Sequence, residues 1–239
     1  MDVILIAGFW LDGSSWSAQV PALEAAGHRV HTPTLPGLGP DDGKDVGLSG
    51  QIDAIVRLID SLEGPVVLVG HSGGGNVAWG AADARPDRVA HVVFVDAFPP
   101  PTGFVINDEL PVIDGVIPFP RDRAEYFDDA EFADFTDEML AEFEANAIPE
   151  PARVATDPLV LEDERRHRIP VTVLATAFPK DQVEQLIEAG HPMTTELDAL
   201  AELTIIGLPT SHWPQLTKPE ETARVLVEAA NRAAAGDEE

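Results

Sequence analysis

Short apolar runs recur along the chain, at residues 3–7, 30–32, 66–69, 89–95, 171–175 and 203–206. They are rich in β-branched residues and lack the polar–apolar alternation of a half-exposed sheet, so they predict strands buried on both faces. Helical signals fill most of the gaps. Ile52, Ile55, Val56 and Ile59 share one helical face, with Ser49 placed to cap the start and Gly64-Pro65 placed to end it. Thr217 and Glu220 have capping-box spacing ahead of Val225, Leu226, Ala229 and Ala230. Strand and helix alternate, which predicts an α/β fold: a mostly parallel central sheet with helices on both faces.

One stretch breaks the alternation. Residues 99–168 begin with Pro99-Pro100-Pro101, add Pro111, Pro118 and Pro120, and continue into an acidic segment. There Phe127, Phe132, Phe135, Met139, Leu140 and Phe143 recur at roughly helical spacing, an aromatic stripe that reads first as packing. The expected organisation is a core domain of residues 1–98 and 169–239, with residues 99–168 inserted between two strands as a helical cap. The segment after Asn231, Ala-rich and then Asp237-Glu238-Glu239, is expected to fray.

Charge narrows the partners. The 239 residues carry 15 basic and 42 acidic side chains, a net charge of −27. Such a field repels nucleic acid and anionic lipid, so a small neutral or apolar substrate is the expected partner, with no nucleic acid and no membrane. There is no cysteine, which removes disulfides, thiolate metal sites and a cysteine nucleophile. No histidine–carboxylate cluster has metal-ligand spacing and no dinucleotide fingerprint occurs, so neither metal nor cofactor is expected. The N-terminus is acidic where a signal peptide is basic, and a cytoplasmic location is the expectation.

The chemistry concentrates at Val66-Val67-Leu68-Val69-Gly70-His71-Ser72-Gly73-Gly74-Gly75, a buried strand running through Gly-x-Ser-x-Gly into a helix. A serine at so sharp a turn needs neighbours almost without side chains, and its hydroxyl then projects. The helix N-terminus beside Ser72 supplies free N–H groups, of which Gly73 N–H is placed to meet a developing oxyanion.

With this motif the chain resembles the α/β-hydrolase superfamily along essentially its whole length. Gly8-Phe9-Trp10-Leu11 followed by Ser14-Ser15-Trp16 is similar to a group of small bacterial hydrolases distantly related to plant methylesterases and hydroxynitrile lyases. The resemblance implies an α/β-hydrolase fold and Phe9 N–H as the second oxyanion donor. The family's histidine before that glycine is Ala7 here, so the loop's support differs while the backbone donor remains.

A serine nucleophile needs a base. Of seven histidines, His212 follows the last predicted strand by a short loop, where the family's histidine sits. The carboxylate that orients it has two contenders. Asp181 lies near the family's commoner position, but that position itself is Phe178, and Asp181 with Glu184 also reads as a helix cap. Asp96 directly ends the preceding strand, in the setting some haloalkane dehalogenases use for their acid, and is the stronger contender. Trp10, His71, Phe98 and Trp213 adjoin these positions and are expected to line an aromatic pocket, although His71 could equally support the elbow. The expected activity is hydrolysis of a carboxylic ester or similar small acyl compound through an acyl-enzyme at Ser72. The alternatives are a lyase or C–C hydrolase with the same residues, or a non-catalytic binding protein on the same scaffold.

Overall fold

The computed structural model describes residues 1–236. Its centre is a six-stranded sheet, in which β1 (Asp2–Ile6), β2 (Arg29–His31), β3 (Val66–His71), β4 (Val89–Val95), β7 (Val171–Ala175) and β8 (Leu203–Gly207) take the order β2-β1-β3-β4-β7-β8. Every neighbouring pair is parallel. The apolar runs are continuous because both faces are covered. Ile4, Ile6, Leu68, Val92 and Phe94 pack on the side of α2 (Leu48–Ser61) and α3 (Gly73–Ala84). Val3, Leu5, Val67, Val69, Val93 and Val95 point the other way, toward α1 (Val20–Ala25) and α9 (Pro219–Gly236). Successive residues of a strand face opposite sides, so an apolar residue is needed at every position.

Helix boundaries depart from the sequence expectation in instructive ways. α2 begins at Leu48 with Gly47 at its cap, so Ser49 lies inside the first turn. Thr217 caps nothing: it ends the short α8 (Pro214–Thr217), and its hydroxyl bonds Ser211 Oγ at 2.9 Å and Thr210 Oγ1 at 2.8 Å. Asp181 sits in the first turn of α6 (Lys180–Glu188), behind Pro179 at the cap. The Ala-rich segment after Asn231 continues α9 as far as Gly236, while Asp237–Glu239 lie outside the described residues.

The insertion between β4 and β7 is less helical than its stripe implied. It holds a two-residue antiparallel ladder of β5 (Val116–Ile117) with β6 (Glu150–Pro151), the ten-residue α4 (Asp137–Asn146), the short α5 (Ala152–Thr156) and several 3₁₀ turns. Of the stripe, only Met139, Leu140 and Phe143 lie on α4; Phe132 ends a 3₁₀ turn, and Phe127 and Phe135 lie outside helices. Its aromatic rings nevertheless pack as one cluster, with Phe143 and Trp213 centred 4.9 Å apart and Phe132 and Trp213 5.2 Å apart. α7 (Thr195–Ala199) completes the element list ahead of β8.

Candidate active site

Because all six strands run the same way, the loops after β1, β3, β4, β7 and β8 leave one edge of the sheet, where open parallel sheets place their sites. Ser72 follows β3 directly and heads α3 with φ 50° and ψ −125°, a left-handed backbone that a non-glycine residue holds only under constraint. The constraint is steric. A Cβ at Gly70 would lie 2.6 Å from Gly75 Cα, and one at Gly74 would lie 2.4 Å from the Ala7 carbonyl oxygen. Strand, turn and helix can approach this closely only with hydrogen at those positions.

Two loops close on the turn. Gly8 lies against it so tightly that a Cβ there would sit 3.0 Å from Ser72 Cβ. The Phe9 ring covers Gly73, where a Cβ would be 2.7 Å from Phe9 Cε1. On the other side Ser72 N–H donates to the Val95 carbonyl at 3.1 Å, which puts the serine beside the residue that follows, Asp96.

Asp96 is the carboxylate that meets the histidine. Its Oδ2 lies 2.7 Å from His212 Nδ1, and its Oδ1 accepts from Thr176 N–H at 2.9 Å and Phe178 N–H at 3.3 Å. Burial pushes this carboxyl up, but the His212 hydrogen bond and charge, with the Thr176 bond, outweigh it and hold the group below the usual carboxylate range. A carboxylate only accepts, so Nδ1 carries the proton, and whenever Nε2 is unprotonated its lone pair is free to act as the base. Phe178 thus contributes a backbone donor at the position whose side chain cannot serve as acid. Asp181 is exposed on α6 and makes no contact with His212.

His212 is held from several sides. Its N–H donates to the Glu131 carbonyl in the insertion at 2.9 Å, and its own carbonyl accepts from His71 Nε2 at 2.7 Å. Thr176 Oγ1 donates to the Ser211 carbonyl at 2.8 Å, and Trp213 N–H donates to Ser211 Oγ at 3.1 Å.

The expected pocket residues divide. Phe98 lines a cavity of about 190 Å³ next to Ser72, together with Gly73, Asn76, Asp96, Phe104 and Met193. His71 does not face it: the ring is fully buried, and burial with the nearby His212 charge lowers its pKa to about 3, so it stays neutral and braces the His212 loop. Trp213 is also buried, inside the aromatic cluster under the insertion. Trp10 lines a different cleft of about 640 Å³ with Ser14, Phe143 and Gln215, which shares no residue with the cavity at Ser72. Aromatic rings adjoining catalytic positions in sequence are drawn into the core by their own area. Sequence reasoning missed Thr176, Glu131 and Asn76. Only Asn76 left a signal, as a polar residue one helical turn beyond the serine.

Comparison with known proteins identifies the family. A description of the alpha/beta hydrolase family matches residues 3–225. The chain belongs to that family. Among relatives of this hydrolase, a pyrethroid hydrolase of Sphingobium wenxiniae is 27% identical over 96% of the chain and 88% of its own length. Methylesterase 8 of Arabidopsis thaliana is 38% identical over a shorter match, 41% of this chain and 38% of that protein. In structure the hydrolase is similar to an extracellular alpha/beta-hydrolase from a Paenibacillus species, with a TM-score of 0.77, 25% identity, and coverage of 96% of this chain and 99% of that one. The family, fold and enzyme class expected from the elbow therefore stand. Among the described residues no helix is long and apolar enough to cross a membrane.

Proposed function

We propose that this hydrolase cleaves carboxylic esters of small neutral or apolar compounds, with Ser72 as nucleophile, His212 as base and acid, and Asp96 as the orienting carboxylate. The observation that carries the reading is the half-buried Asp96–His212 pair, 2.7 Å long, next to the loop of a serine in left-handed backbone at a helix N-terminus. Ser72 Oγ attacks the ester carbonyl carbon while His212 Nε2 takes its proton, and the carbonyl electron pair moves onto the oxygen. Phe9 and Gly73 N–H groups, neither taken by a backbone acceptor among the described residues, receive that oxyanion. The tetrahedral species collapses as His212 returns the proton to the departing alkoxide, leaving an acyl-enzyme. Water, deprotonated by His212, attacks the acyl carbon in turn, and the acid departs as Ser72 regains its proton. Asp96 keeps Nδ1 protonated and stabilises the imidazolium throughout.

The names of the pyrethroid hydrolase and the methylesterase among its relatives support ester substrates. The test pairs a fluorophosphonate probe with short-chain nitrophenyl esters. Wild type is expected to be labelled and to turn over, and Ser72→Ala to do neither. Equal labelling of the two proteins, or ligand binding by wild type without any turnover, overturns the reading.

A further inference from the structure

Trp10 follows Phe9, whose N–H receives the oxyanion in the mechanism above, and its backbone is out of place for its residue type. Among the described residues five non-glycine positions hold a positive φ, and apart from Trp10, at 64°, they are serine or aspartate. A bulky side chain tolerates that conformation poorly, so its surroundings must hold it there. The local backbone is a tight turn in which Leu11 N–H donates to the Gly8 carbonyl at 3.4 Å. Trp10 occupies the third position, where a turn with positive φ ordinarily carries glycine or asparagine.

The anchors come from the insertion between β4 and β7. The Trp10 carbonyl accepts from Ile148 N–H at 2.9 Å, and the indole Nε1–H donates to the Ile117 carbonyl at 3.1 Å. Ile117 pairs with Glu150 across the small β5–β6 ladder, so one bond ends on β5 and the other just ahead of β6. Phe119 and Phe127 set their rings edge-on to the indole, with centres 5.1 and 5.8 Å away. Trp10 is 5% exposed as a result. The turn in turn reaches the oxyanion site through one rigid unit. The Gly8 carbonyl and the Phe9 N–H belong to a single planar peptide, so a turn that fixes the first fixes the direction of the second.

We propose that Trp10 is a positioning residue for the oxyanion donor: the insertion grips its carbonyl and its indole, holds the Gly8–Leu11 turn, and thereby aims Phe9 N–H at the developing charge. The inference rests on the hydrolase reading of Ser72, because the direction of this N–H affects rate only where an oxyanion forms.

Two variants test it. Trp10→Phe removes the indole N–H and leaves a ring beside Phe119 and Phe127. Phe119→Leu leaves Trp10 intact and removes one of the rings against it. Fluorophosphonate labelling to completion counts the active sites, so a misfolded fraction drops out of the rates. The readouts are kcat and KM for 4-nitrophenyl butyrate and the inhibition constant of 1,1,1-trifluoropentan-2-one, which carries the same propyl chain. Ser72 Oγ adds to the ketone carbon of that probe, the serine proton passes to His212, and the carbonyl electron pair becomes an alkoxide in the oxyanion site, with no group leaving. Trp10→Phe is expected to lower kcat per labelled site by about tenfold or more. Acylation and deacylation both pass through an oxyanion, so KM is expected to stay within about twofold. The inhibition constant is expected to rise by the factor lost in kcat/KM, as for any mimic of the transition state. Phe119→Leu is expected to move the same quantities the same way by a smaller factor, and it carries the test alone if Trp10→Phe fails to fold. An unchanged kcat per site, a rise confined to KM, or a fall in kcat with the trifluoromethyl ketone held as tightly as by wild type overturns the proposal. Failure of the hydrolase reading looks different: wild-type protein itself neither turns over the ester nor takes the label.

Discussion

Trp10, Ser72 and Asp96 carry positive φ values of 64°, 50° and 45°, and all three lie in loops just beyond β1, β3 and β4. Such backbone costs about 1–3 kcal/mol per residue and persists where the surroundings over-determine it. Here the surroundings are the glycines and the convergence of side chains on Asp96. Asp96→Asn is expected to lower kcat by about 10³–10⁴-fold, because an amide at this position no longer enforces the Nδ1–H tautomer. Asp181→Asn, exposed on α6, is expected to leave kcat within about twofold, consistent with the small effects of surface changes. Steady-state kinetics of the two variants on one nitrophenyl ester check both expectations. Gly74→Ala drives a methyl group into the Ala7 carbonyl oxygen, which is backbone and does not yield. A loss of about 1–3 kcal/mol or more is expected, read from denaturant midpoints. Ser72 was legible in sequence because its strain is relieved by adjacent glycines. Asp96 was only a contender, because a carboxylate at a strand end reads the same whether or not a histidine lies opposite.

At the scale of elements, β6 brings a buried charge-capable group into the insertion. Glu150 is 2% exposed, and burial pushes its carboxyl up to about 8 despite the hydrogen bond from Gln51 Nε2 at 3.0 Å and the nearby Lys44 charge. The folded protein therefore holds Glu150 protonated where the unfolded chain has ionised it. Its contribution to stability is complete below the unfolded value of 4.5 and is lost as pH rises through about 8. Glu150→Gln keeps the acceptor for Gln51 and removes the titration. It is expected to match wild type near pH 4.5 and to exceed it at pH 8.5 by on the order of 3 kcal/mol, measured as melting temperature against pH.

A second buried cluster locks α3 to the segment before β7 and to α7. Arg166 pairs with Asp83 at 3.0 Å and with Glu196 at 2.9 Å, and Glu196 also accepts from Trp79 Nε1 at 3.1 Å. Arg166→Ala strands two buried carboxylates and is expected to cost about 3–5 kcal/mol, checked by chemical denaturation. Neither cluster was visible in the pattern of apolar and polar positions. Gln51, Asp83, Glu150, Arg166 and Glu196 come from separate parts of the chain, and apolar periodicity says nothing of which polar groups meet. Within the insertion the aromatic spacing fits a helix, yet these rings are gathered by Trp213 across 3₁₀ turns rather than by one helical face.

For the whole molecule the net charge of −27 dominates the long-range field. Self-repulsion of this size opposes compaction and is screened by salt, with a Debye length of about 30 Å at 0.01 M and about 8 Å at 0.15 M. Raising sodium chloride across that range is expected to raise the melting temperature. It is also expected to raise kcat/KM for an ester bearing a free carboxylate relative to its neutral amide counterpart. A salt-independent ratio of the two would show that the field does not reach the site.

The alternation of buried strands and amphipathic helices and the sharp strand-to-helix turn at Ser72 were readable without coordinates. Each depends on residues adjacent or one helical turn apart, where backbone sterics and periodicity act locally. Which carboxylate meets His212, how the insertion packs, and which buried polar groups find partners are decided by contacts between distant segments. The Asp96–His212 pair spans 116 residues. Its geometry exists only once parallel strands bring their carboxyl ends to a common edge, since a hydrogen bond depends on distance in space and not on position in sequence.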